Sequence, residues 1–284
     1  RLGGAWTWAA KRSDAGDDHL LVYLLRRGLE RLVVVVRPPD RGPRMDFCSS
    51  LHDFVRLRCL GQPKVATYIM PETALSVRDL VVHFSTRAGV VRAVDGIDFD
   101  LYVGEKLGLV GESGSGKTTL ALAIMRMIKP PGRVNSGKIM LNDVDLLKLS
   151  HTEMREMRSS EIAMVPQGAM NALNPVRRIG AQIMDGLIDH GQGGSKESLQ
   201  STVRELLEQV DLYAEIADRY PHQLSGGMQQ RVTIAMAISL NPKVIIADEP
   251  TSALDVVVQH HVIDTFERVQ IATGTSVILV GHDM

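Results

Sequence analysis

The stretch from Lys106 to Thr118 narrows the possible folds more than any other part of the chain. An apolar pentad, Lys106 to Val110, runs straight into Gly111-Glu-Ser-Gly-Ser-Gly-Lys-Thr118, and an apolar helical pattern follows at once. A strand, a glycine-rich turn and a helix in that order begin an α/β unit. The turn also matches G-x-x-x-x-G-K-[ST] at every fixed position, the pattern of a loop that cradles phosphates. Gly111, Gly114 and Gly116 let successive N–H groups face one point at the positive end of the following helix. Lys117 can place a charge between the β and γ phosphates, and the Thr118 hydroxyl can bind Mg2+. The spacing predicts a helix over residues 118–129, stopped by Pro130, Pro131 and Gly132.

Around this unit the periodicity predicts strands at Leu75–Leu80, Val81–Phe84, Val91–Val94 and Ile97–Leu101, a small, mostly antiparallel sheet. Residues 151–240 read as mostly helical, with Leu199–Val210 clearly amphipathic. Apolar strands return at Val244–Ala247 and Ser276–Val280, as a buried parallel sheet requires. The expected organisation is an α/β core interrupted by a helical insert over residues 151–240.

Residues 1–69 differ in character. They hold 12 Lys+Arg against 7 Asp+Glu, whereas residues 70–284 hold 20 against 26. Both tryptophans and both cysteines lie there, with an Arg/Pro cluster from Arg37 to Arg44 and no sustained periodicity. Because Met70 stands just before the first orderly pattern, the reading favours upstream sequence over an unusual but real extension. Cys48 and Cys59 form neither a zinc signature nor a disulfide framework, which suits a reducing cytoplasm. The apolar runs Leu20–Leu25 and Leu32–Val36 are too short to span a bilayer, and without a charged n-region leading into an apolar h-region and a cleavage site, secretion is not expected. A net charge of -1 gives no reason to expect binding along nucleic acid.

Two later segments supply what the cradle lacks. Val244-Ile-Ile-Ala-Asp248-Glu249 is an apolar strand ending in two carboxylates, suited to a Mg2+ partner (Asp248) beside a base that orients an attacking water (Glu249). Leu224-Ser225-Gly226-Gly227-Met228-Gln229-Gln230-Arg231 resembles the signature motif of the ATP-binding cassette (ABC) family. Gln167, Ser252-Ala-Leu-Asp255 and His282 follow that family's pattern as its Q-loop, D-loop and switch histidine, and the resemblance covers about residues 74–284. Within the family the chain is most similar to ATPase subunits of oligopeptide, dipeptide and nickel importers, on Val165-Pro-Gln-Gly-Ala-Met-Asn-Ala-Leu-Asn-Pro175, Leu224–Arg231 and Asp255-Val-Val-Val-Gln259.

The resemblance implies a P-loop NTPase (RecA-like) core with an antiparallel β subdomain and a helical subdomain that carries the signature motif. It implies ATP and Mg2+ as cofactors. Nucleotide contacts fall to Gly111, Ser113, Gly114, Ser115, Gly116, Lys117, Thr118 and Thr119, to Ser225, Gly226, Gly227 and Asp255, and to Phe84, which either stacks on adenine or is a core phenylalanine. Metal contacts fall to Thr118, Gln167 and Asp248, and catalysis to Glu249, His282 and Gln167. Two cassettes would close head to tail, so that the Ser225–Gly227 segment of one meets the γ-phosphate held by the other. The implied partners are a second, similar or identical ABC ATPase subunit, integral-membrane permease subunits and, indirectly, an extracytoplasmic substrate-binding protein, with no nucleic acid. The implied place is the cytoplasmic face of the membrane. Two other readings stay open, a soluble cassette ATPase of DNA repair or translation and a regulatory module that binds ATP without turning it over. Such subunits continue past the switch histidine, so a chain ending at Met284 is expected to be a C-terminally truncated fragment.

Overall fold

The computed structural model describes residues 72–168, 172–252 and 254–281, together with the backbone of three strands ahead of them. His282, Cys48, Cys59 and Met70 lie outside the described residues.

The three leading strands are β1 (Thr7–Lys11), β2 (Leu21–Arg27) and β3 (Glu30–Val36). They lie in the segment that shows no sustained periodicity. β2 and β3 fall on the two apolar runs, and β3 finds one of its partners, the strand Lys106–Val110, some seventy residues on, which local periodicity does not reveal. β1, β2 and β3 pair antiparallel in turn, and β3 lies parallel to β6 (Lys106–Val110) with Leu32 opposite Gly108.

The four short strands expected between residues 75 and 101 are two long ones, β4 (Thr73–Thr86) and β5 (Gly89–Tyr102). The apparent breaks are register shifts between Val77 and Leu80 and between Leu80 and Val82. Asp79 there takes a left-handed φ of 44°, and its N–H donates to Asp98 Oδ1 at 2.6 Å. An extra residue at a bulge interrupts the alternation on which strand prediction rests. β7 (Gly132–Leu141) and β8 (Val144–Asp145) complete an antiparallel sheet in the order β5-β4-β7-β8.

The second sheet runs β1-β2-β3-β6-β11-β10-β9, with β9 at Ile162–Val165, β10 at Val244–Asp248 and β11 at Ser276–Gly281. Strands β6, β11, β10 and β9 are all parallel. Because β9 belongs to this sheet, residues 162–165 are part of the α/β core although they fall inside the expected helical insert.

Alternation along these strands divides the interior in two. Ile162, Val244, Ile246, Ile278 and Val280 face a core shared with the antiparallel sheet and α1 (Lys117–Ile124). Ala163, Val165, Ile245, Ala247 and Val277 face the other side. There they meet α3 (Ile179–Asp189), α4 (Lys196–Gln209), α5 (Gly226–Ile238) and α6 (Val256–Thr273). Every residue of β10 is buried, and each Val or Ile removed from water there stabilises the fold by about 1.5–3 kcal/mol. The strand end that carries Asp248 and Glu249 is therefore fixed by packing on both faces.

α1 stops at Ile124, five residues before the predicted end. Arg126 takes φ 50°, the Arg126 N–H donates to Ala123 O, and the Met127 N–H reaches back to Leu122 O at 2.7 Å. That is a Schellman-type ending with arginine where glycine is usual. The Arg126 guanidinium holds it by donating to Leu146 O and Leu149 O.

Candidate functional site

β6 delivers the glycine-rich loop to the top of the parallel sheet, between the ends of β11 and α1. Gly116 is the N-cap of α1 with φ 94°. A Cβ there would lie 2.1 Å from Ala93 O, so only glycine lets the loop pass β5. Gly114 also has a positive φ, 79°, but its missing Cβ points into open space. The two glycines thus differ in purpose, one for close packing against backbone and one for a clear concave surface.

Lys117 is 5% exposed, and its Nζ donates to Gly111 O at 2.7 Å and to Glu112 O at 2.8 Å, folding back over the loop. Burial lowers its pKa first, opposed by the Glu249 and Asp248 carboxylates. A buried ammonium whose donors satisfy loop carbonyls, with two carboxylates near it, can exchange those carbonyls for phosphate oxygens. Ser115 is buried, while Ser113 is exposed and Thr119 half-buried on the first turn of α1.

Across the loop, the Thr118 hydroxyl donates to Asp248 Oδ1 at 3.2 Å. Asp248 is 1% exposed and its pKa is raised, first by burial and then by the neighbouring Glu249 charge, against the opposing pull of the Thr118 bond and of Lys117. A carboxylate and a hydroxyl are hard oxygen donors that fit Mg2+, which keeps several waters and takes only one or two protein carboxylates besides phosphates.

Glu249 follows in the left-handed region, φ 45°, with its N–H bonded to Val280 O at 2.9 Å. A non-glycine residue there is strained by about 1–3 kcal/mol, and the surrounding sheet holds it. The Gln167 Nε2 donates to Glu249 Oε2 at 2.7 Å. The structure therefore brings together Lys117, Thr118, Gln167, Asp248 and Glu249 from the loop, the segment after β9 and the end of β10.

The Leu224–Arg231 segment is held by a different set of contacts. Ser225 is the N-cap of α5, its Oγ accepting from Met228 N, and Asp255 caps α6 in the same way, Oδ1 accepting from Val258 N at 3.0 Å. A Cβ on Gly227 would stand 2.3 Å from Val258 Cγ1, and one on Gly226 3.3 Å from Leu254 Cδ2. The two helix starts are thus pressed together, and Ser225 sits exposed at the positive end of α5. The Ser225 and Asp255 side chains are spent on their own helices rather than on Lys117 or Thr118. Phe84 is partly buried and packs against the first core, with Gly132 directly under its ring. The clasp around Glu249 and its left-handed backbone have no signature in sequence, because both depend on a register set by the sheet.

A family profile described as ABC transporter matches residues 94–252. The Escherichia coli dipeptide transport ATP-binding protein DppD is 45% identical over 74% of this chain and 64% of its own length. The Bacillus subtilis oligopeptide transport ATP-binding protein OppD is 44% identical over 74% of this chain and 59% of its own. The chain therefore spans about 64% of the length of the relatives it matches first. Among solved structures, the dimeric post-hydrolysis state of the ATP-binding cassette MJ0796 bound to ADP and Pi superposes with a TM-score of 0.66 at 28% identity, covering 74% of this chain and 88% of that one.

Proposed function

This chain belongs to the ABC transporter family, and on that premise we propose that it is the ATP-binding and ATP-hydrolysing subunit of an importer, with peptide as the cargo of the assembled system. The observation that carries this reading is the meeting of Lys117, Thr118, Asp248, Glu249 and Gln167 around one loop. Relatives that transport dipeptides and oligopeptides support peptide over nickel within the subfamily that the sequence resembles.

In this reading the amides of residues 114–118 and Lys117 hold the β and γ phosphates of ATP. Mg2+, held by Thr118 and Asp248 with Gln167 nearby, would supply charge neutralisation on the phosphate oxygens. Glu249 accepts the proton of the attacking water, and Gln167 orients that carboxylate by its hydrogen bond. His282 is assigned to the γ-phosphate by family pattern alone. Ser225 and the amides of Gly226 and Gly227 complete the site of a second cassette, since none of the bonds that hold Lys117 and Thr118 reaches them. The dimeric state of the MJ0796 cassette supports that pairing. The chain sits at the cytoplasmic face of a membrane against permease subunits, and an extracytoplasmic substrate-binding protein completes the system through them. No helix among the described residues is long and apolar enough to cross a membrane.

The test is Glu249→Gln, measured for ATP binding and for phosphate release with Mg2+. Binding should persist while turnover falls about a hundredfold or more, as expected for loss of a general base. Unchanged turnover removes Glu249 from that role, and no turnover in the parent chain removes the reading itself.

A further inference from the structure

The turn that leads into β9 is held on both sides by side chains that take no part in the nucleotide site. The helix α2 (His151–Ser160) breaks at Arg158, whose ψ is 141°, and Ser159 follows in the left-handed region at φ 67°. From this turn the Arg158 guanidinium reaches back to the end of α1, its Nε donating to Met125 O at 3.0 Å and its Nη2 to Arg126 O at 3.1 Å. Those carbonyls lie just past the last turn of α1, where oxygens lack partners and the helix dipole favours a cation. Burial and the nearby Arg126 charge both draw the Arg158 pKa down, so the carbonyl bonds are what hold the cation in place.

The carbonyl of Arg158 is engaged as well. His190, the C-cap of α3, faces it with Nε2 at 2.8 Å, and its Nδ1 faces Gly186 O at 3.0 Å. Three places are thereby tied at one point: the end of the helix that follows the phosphate loop, the turn before β9, and the end of α3. Residues 158 and 190 close a loop, and within it lie β9 and Gln167, two positions beyond the last residue of β9.

We propose that Arg158 and His190 are positioning residues for ATP hydrolysis, fixing the base of this loop against the end of α1 so that Gln167 meets Glu249 at hydrogen-bond distance. The proposal rests on the function proposed above. Neither residue touches the reacting groups, and both act through Gln167.

The test is a double-mutant cycle in turnover. Arg158→Ala should lower kcat about tenfold while the ATP dissociation constant moves less than about twofold, and Arg158→Lys, which keeps the charge but has one donor nitrogen in place of two, should recover part of the loss. In a Gln167→Ala chain the same Arg158→Ala change should cost nothing further, because the residue through which it acts is gone. Losses that multiply would overturn the proposal, since a merely structural role adds to any other defect. His190→Ala, which leaves the bonds from Arg158 to α1 in place, is the second variant and should show the same non-additivity. If the parent chain hydrolyses no ATP, the proposed function fails, and the clasp is read instead by amide exchange. Arg158→Ala and His190→Ala should both speed exchange at Ile162–Val165, and unchanged exchange there overturns the clasp.

Discussion

Gly114 and Gly116 stand two residues apart in the same loop, both with positive φ, and the structure assigns them different costs of substitution. Alanine at either position must adopt a left-handed backbone, which costs about 1–2 kcal/mol. At Gly114 nothing lies within 4 Å of the added Cβ, so that is the whole effect on folding. At Gly116 the Cβ would stand 2.1 Å from Ala93 O and 3.3 Å from Ala93 C, and the obstacle is backbone of β5 that cannot rotate aside. Overpacking of this kind adds about 1–3 kcal/mol. Gly116→Ala should therefore be less stable than Gly114→Ala by about 2 kcal/mol, the middle of that range. With a urea slope of about 2 kcal/mol per molar, its unfolding midpoint, followed by far-ultraviolet circular dichroism, should lie about 1 M lower. ATP binding should order differently. Gly114→Ala should weaken it well beyond its effect on stability, since its Cβ would enter the open surface that faces the phosphates. Equal midpoints for the two variants would refute the packing argument, and undiminished ATP binding by Gly114→Ala would refute the cradle geometry.

Two further outcomes follow from the site. The raised pKa of Asp248 means that the folded chain holds this proton more tightly than the unfolded one, so its contribution to stability is fully present below the ordinary aspartate value, about 3.9, and is lost as pH rises through the higher folded value. Asp248→Asn should accordingly gain stability over the parent as pH climbs from about 4 to neutrality, and urea midpoints that stay parallel across that range would contradict the assignment. Gly227→Ala should destabilise by about 1–3 kcal/mol through the clash with Val258, and Val258→Ala in the same chain should restore most of it; a double variant no better than Gly227→Ala would place the strain elsewhere.

Much of this was legible in the sequence, for identifiable reasons. The loop from Gly111 to Thr118 and the carboxylates at the end of β10 were readable because contiguous residues carry their patterns. β10 and β11 were readable because strands buried on both faces leave unbroken apolar runs. The bulge at Asp79 was hidden, because one extra residue inverts the alternation and makes two long strands look like four. The early end of α1 was hidden as well, because Arg126 is a good helix former and its left-handed turn is imposed by Leu146 O and Leu149 O, distant in the chain. β1 to β3 fell below recognition because they join the larger sheet only through β3, whose pairing with β6 is a long-range property. The bonds from Arg158 to Met125 O and from His190 to Arg158 O join residues more than thirty apart, and no spacing rule reports them.

The measurement that tests the account most directly is the mass of the Glu249→Gln chain by sedimentation, with and without ATP. None of the hydrogen bonds that hold Lys117 and Thr118 reaches the Ser225–Gly227 segment, so ATP held on a site that cannot turn over should convert monomer to dimer, and Ser225→Arg should prevent it without abolishing ATP binding. A chain that binds ATP yet stays monomeric at every concentration, or dimerises equally well with Ser225→Arg, would contradict the claim that the two halves of the site meet across a pair of cassettes.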